Sequence, residues 1–208
     1  MSTQKIDKKM KVVKWILASV GILFVTLVVL LVIGYFTGFV VVEGNGLHSE
    51  YAKLSEDKQA RVKDAVEMDS LKADGNVYRV RHEQVKKYLN GKGKALVYSY
   101  IPYCTKDNCT DPKDCFNKCK EVGVELVLIS ELYYKLFENT TEYLQPVFVI
   151  NSDSYGSDDR EEYVKMFYDG LIGEDNWSRL TGCYFCFNHG QYIKQCEKFD
   201  EALDTLKE

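Results

Sequence analysis

The stretch from Lys94 to Ser130, KALVYSYIPYCTKDNCTDPKDCFNKCKEVGVELVLIS, leaves few folds open. Ala95 to Ile101 is a short apolar run of aromatic and β-branched residues, which reads as a buried strand. It ends at Pro102-Tyr103-Cys104, and a loop carrying Cys109 follows. Asp111-Pro112-Lys113-Asp114 then marks a helix start: a capping carboxylate, a proline at the first helical position and an acid near the positive end of the helix. The helix should run to about Val122, with Gly123 suited to the left-handed closing position. Val124 to Ile129 is the next strand. Strand, loop, helix and strand make a βαβ unit, whose two strands must be parallel.

Upstream, Trp15 to Val42 carries no charge. Roughly 20 apolar residues span a bilayer, so the run is long enough for a transmembrane helix. It is too long for the apolar region of a signal peptide and lacks a small-residue cleavage site. Lys5, Lys8, Lys9, Lys11 and Lys14 precede it against Asp7 alone. The positive-inside rule then expects a single-pass protein of the cell membrane, with residues 1–14 cytoplasmic and the domain after about Glu43 extracytoplasmic. Such a compartment permits disulfides. The net charge of -4 and the lack of a basic stripe beyond the N-terminus argue against a nucleic-acid partner.

Residues 43–76 read as a hinge at Glu43 to His48 and a juxtamembrane helix from Ser55 to about Leu71, dense in charge and sparse in apolar positions. Val77 to Arg81 alternates as a strand, and His82 to Leu89 reads as a helix. Beyond Ser130 the patterns predict a helix over Glu131 to Tyr143, a strand at Pro146 to Asn151 and a helix from Glu161 to Ile172. A hairpin of Tyr184 to Asn188 with Gln191 to Cys196 follows, turning at His189-Gly190. Asp200 to Leu206 is a terminal helix.

Tyr98-Ser-Tyr-Ile-Pro-Tyr-Cys104 resembles the strand-to-active-site junction of thioredoxin-like proteins, and the order of elements over 77–208 is similar to that fold. The resemblance implies an α/β domain, a central mixed sheet flanked by helices, preceded by the N-terminal transmembrane helix. It puts Cys104 at the nucleophile position and implies that Pro102 and Tyr103 contact a substrate or partner. Two departures stand out. The family pairs its cysteines as Cys-x-x-Cys, whereas four residues separate Cys104 from Cys109. The family's cis-proline before the hairpin strand falls here near Gly182, where glycine would leave backbone open to a partner.

Seven cysteines decide the chemistry. A thiolate is the nucleophile of disulfide exchange, and a helix N-terminus lowers the pKa of a nearby thiol. Cys104 attacking and Cys109 resolving is one reading; a fixed disulfide that clasps the loop is the other. Cys115 and Cys119 share a helix face and do not readily pair with each other, though either could bridge to Cys104 or Cys109. The spacing Cys-x4-Cys-x5-Cys-x3-Cys is not a usual zinc spacing, so no metal and no cofactor are expected. Cys183-x-x-Cys186 lies on a strand, where positions three apart face opposite ways. Counting back from the turn sets Cys183 opposite Cys196, a conceivable cross-strand bridge. The expected partners are protein thiols or disulfides, or a redox-partner protein. The rival expectation is a redox-inactive module braced by disulfides.

Overall fold

The computed structural model describes residues 46–104, 109–138, 143–174, 176–178 and 181–207, with 15, 17, 20, 21, 24–26, 28 and 29. The chain divides into two units, Met1–Glu43 and Gly44–Glu208. In the first, the described residues have helical backbone, and Trp15, Leu17, Phe24 and Val25 are exposed. Among the described residues no helix is long and apolar enough to cross a membrane. Most of 15–42, over which the sequence predicts a span, lies outside the described residues.

The second unit is a mixed α/β domain. Its elements run α1 (Leu47–Ala52), α2 (Glu56–Gln59), β1 (Val62–Asp64), β2 (Val77–Val80), α3 (His82–Asn90), β3 (Lys94–Tyr100), α4 (Pro112–Glu121), β4 (Glu125–Ser130), β5 (Val147–Ile150), α5 (Arg160–Ile172), β6 (Tyr184–Asn188), β7 (Gln191–Cys196) and α6 (Phe199–Lys207). The seven strands form one sheet in the order β1-β2-β5-β4-β3-β6-β7. The first five are mutually parallel, β6 runs antiparallel to them, and β7 returns antiparallel to β6.

The βαβ unit forms as its signals dictate. Asp111 caps α4, accepting from the Lys113 N–H at 2.8 Å, Pro112 fills the first turn, and Gly123 takes φ +70 just after the helix. β3 and β4 then pair in parallel, Ala95 against Glu125 to Tyr100 against Ser130. Strand β3 is buried from Ala95 to Tyr100 because it has strands on both sides and helices on both faces. The faces can be read from β6. Phe185 stacks on Tyr168 of α5 at 4.5 Å, whereas its neighbour Tyr184 meets Phe199 of α6 at 5.8 Å. Adjacent strand residues point oppositely, so α5 and α6 cover opposite faces. Helix α3 joins α5: a side chain on Gly170 would fall 2.6 Å from the His82 ring. Helix α4 joins α6, with Lys118 over the Phe199 ring.

Three expectations are corrected. The helix predicted from Ser55 to Leu71 stops at Gln59, whose side-chain amide turns back to the carbonyls of Tyr51 and Leu54. Val62–Asp64 instead pairs with Val77–Arg79 as an edge strand. Leu47, Ala65 and Met68 join the core, so residues 46–76 supply part of the domain itself.

The helix predicted over Glu131 to Tyr143 is, in its described part, a loop with one 3-10 turn at Leu136–Glu138. The first amides that would open a helix are taken elsewhere: the Glu50 carboxylate accepts from Tyr133 N–H at 2.6 Å and Tyr134 N–H at 3.0 Å. Lys135 sits at φ +59, which no helix continues through.

The hairpin forms at the predicted residues, with His189 and Gly190 both at positive φ, but its register slips. Phe187 pairs with Tyr192 and Cys186 with Lys194, which leaves Ile193 as a bulge. One extra residue turns the rest of β7 over. Tyr184, not Cys183, therefore faces Cys196, and the Cys183–Cys196 bridge is not formed.

Candidate functional site

The C-terminal edge of β3 carries the feature the sequence singled out. A turn closed by the Cys104 N–H donating to the Ile101 carbonyl, at 3.0 Å, carries the chain through Pro102-Tyr103. Cys104 and Cys109 are joined in a disulfide, Cα to Cα 6.1 Å. Two residues past Cys109 the N-terminus of α4 begins at its Asp111 cap. The bond therefore spans the mouth of a βα connection, at the carboxyl ends of the strands, where open α/β sheets collect their ligands.

Beneath it, two tyrosines hold the returning chain. Tyr98 of β3 and Tyr184 of β6 lie with ring centroids 4.6 Å apart. The Tyr98 hydroxyl donates to the Thr110 carbonyl at 3.0 Å, and the Thr110 N–H donates to the Tyr184 hydroxyl at 3.0 Å. Burial pushes the Tyr184 hydroxyl up to about 12 and the Tyr98 hydroxyl higher still, so both stay protonated. Both backbone polar groups of Thr110, directly after Cys109, are thus pinned.

Beside the loop is a buried ion pair. Glu131, at the end of β4, accepts from Arg160 Nη2 at 2.8 Å, Arg160 Nε at 3.1 Å and Ser99 Oγ at 2.7 Å. Its backbone carbonyl accepts from the Tyr163 hydroxyl at 2.8 Å. Arg160 also reaches the Tyr103 hydroxyl at 3.5 Å. Burial works against the charge on Arg160, but Glu131 outweighs it and the guanidinium pKa is raised. Tyr103, 42% exposed, meets exposed Tyr134 edge to face at 5.5 Å. These two rings make an aromatic rim next to Cys104.

The remaining thiols take no part in this bond, although Cys115 and Cys183 lie close enough to the Tyr98 and Tyr184 hydroxyls to act on them electrostatically. Cys115 and Cys119 are buried on the inner face of α4 and bridge to nothing. Burial pushes the Cys119 and Cys183 thiols up to about 12 and raises Cys115, Cys186 and Cys196 as well. Gly182 is half-buried at φ +134, and a Cβ there would fall 2.1 Å from the Cys196 carbonyl oxygen and 2.4 Å from Glu197 Cα. Its carbonyl accepts from Gln195 Nε2 at 2.6 Å. Glycine is required here by the close passage of the end of β7. Among the described residues no group of three or more His, Cys, Asp or Glu side chains is placed to hold a metal.

Sequence reasoning missed the Glu131–Arg160 pair, since 29 residues separate its members and one was read into a helix face. It also missed that Cys186 and Cys196 lie together, Sγ to Sγ 4.0 Å, because the Ile193 bulge brings both to one face. Comparison with protein-family models, curated proteins and solved structures gives no match in any of the three.

Proposed function

We propose that this chain is a thioredoxin-like thiol–disulfide oxidoreductase, held at the cell membrane by residues 15–42 with its domain outside, and that Cys104 and Cys109 are its redox pair. The observation that carries the reading is the Cys104–Cys109 disulfide at the carboxyl end of β3. It is the sole disulfide among the described residues, and the other five thiols are held protonated by burial. The succession β2-α3-β3-α4-β4, the antiparallel β6–β7 hairpin and the closing α6 support the fold assignment. The charge-free run and its lysine-rich flank support the anchor.

In the exchange, a thiolate of the substrate protein attacks Cys104 Sγ, and Cys109 leaves as thiolate next to the positive end of α4. A second substrate thiolate attacks the substrate sulfur of the mixed disulfide and releases Cys104. The substrate dithiol is oxidised to a disulfide, and Cys104 and Cys109 take up its two electrons and two protons. A redox-partner protein reverses the last state. The Tyr103–Tyr134 rim would receive the substrate chain.

Cys104→Ser should abolish oxidation of a dithiol peptide, and Cys109→Ser, which leaves Cys104 as a lone thiol, should be trapped as a mixed disulfide when given a disulfide-bonded peptide, because no second thiol is present to release it. Unchanged turnover in both variants would refute the reading. The second reading, a redox-inactive module braced by this bond, draws on the Tyr98 and Tyr184 clamp, which holds the loop closed. It predicts no turnover by the unmodified chain and a fall in melting temperature on reduction.

A further inference from the structure

At the edge of the sheet opposite the disulfide, the N-terminal ends of β3, β4 and β5 open into a cleft of about 690 Å3. Strand β3 has seven residues, so at about 3.3 Å per residue the cleft lies roughly 20 Å from Cys104. The volume is that of a small-molecule site. The proposed exchange has no use for it.

Apolar groups make up about half of its lining. Phe116 of α4, Leu126 of β4 and Phe148 of β5 are joined by Leu144, which is 45% exposed. Its charge is one-sided. Four lysines line it, Lys72, Lys92, Lys94 and Lys120, against the two carboxylates of Asp69 and Glu125. Both carboxylates are engaged: Asp69 with Lys92 at 2.8 Å, and Glu125 as acceptor from the Tyr88 hydroxyl. Among the described residues no carboxylate pairs with Lys72, Lys94 or Lys120.

A second, independent feature is Gln145. It lines the cleft, is only 6% exposed, and neither its amide oxygen nor its nitrogen has a hydrogen-bond partner among the described residues. An unpaired buried amide is costly, and a native fold carries few. Its amide atoms are buried as they stand, and a turn of the side-chain torsions would be needed to bring the N–H donor to a polar group in the cleft.

We infer that this cleft binds a small amphiphilic carboxylate, an apolar body ending in one acid group. The body fills the Phe116, Leu126 and Phe148 walls, and the acid meets the unpaired lysines at the mouth and the amide of Gln145. A cation of the same body is repelled, and a bare acid without the body lacks the apolar contact.

The test is isothermal titration of the purified full-length chain with sodium octanoate, against its own buffer as blank. Octyltrimethylammonium and acetate are the controls. Saturable binding of octanoate alone is expected, weakened at least tenfold in a Lys72→Glu/Lys94→Glu/Lys120→Glu variant whose circular dichroism and melting temperature match the parent. Gln145→Met, which keeps the volume, should weaken octanoate several-fold. No saturable octanoate binding, equal binding of the cation, or an unchanged affinity in a folded triple variant would overturn the proposal.

Discussion

Arg160 and Glu131 are the residues on which the candidate site leans most. Their side chains are 18% and 7% exposed, so each neutralises a charge that water reaches only in part. Removing one member of a buried pair strands the other, which costs about 3–5 kcal/mol. Arg160→Met should therefore lower the unfolding free energy by about that amount in urea titration, and adding Glu131→Gln should recover part of it. Gln145 predicts the opposite sign. Replacing an unpaired buried amide with an apolar group of its shape removes a penalty of about 1–3 kcal/mol. Gln145→Met should raise the urea midpoint of the chain without ligand; a fall would show that the amide has a partner in the native state.

Among elements, the hairpin separates what pattern reading reaches from what it does not. Its strands and turn were legible because β-branched and aromatic residues flank a His-Gly pair that tolerates positive φ. Its register was not, because Ile193 looks like any strand residue and nothing local marks it as a bulge. The consequence is a pairing that can be measured. Mild oxidation of the folded chain, followed by peptide mapping, should join Cys186 to Cys196, whose sulfurs lie 4.0 Å apart, and leave Cys183 unbridged. A Cys183–Cys196 bond would mean that the bulge is absent. The segment after β4 failed for a related reason. Leu132, Tyr133 and Leu136 fall at helical spacing and are all buried, but they are buried from a loop. The Glu50 carboxylate that takes the helix-opening amides lies 83 residues away from Tyr133, beyond any window of periodicity.

For the molecule as a whole, the parallel core β3-α4-β4 and the placement of Cys104 and Cys109 at its mouth could be read directly. Cap, proline, closing glycine and apolar runs all agree there. What could not be read were the long-range contacts that complete the site: Tyr184 reaching Thr110, Arg160 reaching Glu131, and β7 crowding Gly182. They leave the Cys104–Cys109 loop clamped from below and rimmed by Tyr103 and Tyr134 above, with every other thiol buried or raised in pKa. The proposed exchange then depends on one quantity, the reduction potential of that bond. Equilibration of the full-length chain with glutathione and dithiothreitol buffers, read by alkylation and mass spectrometry of the Cys104 and Cys109 peptides, measures it. Reversible opening is expected within the range of catalytic dithiols, about -120 to -270 mV, with the four buried thiols of Cys115, Cys119, Cys186 and Cys196 unlabelled until the chain is unfolded. A bond that stays closed below about -300 mV would contradict it and make the loop a structural brace.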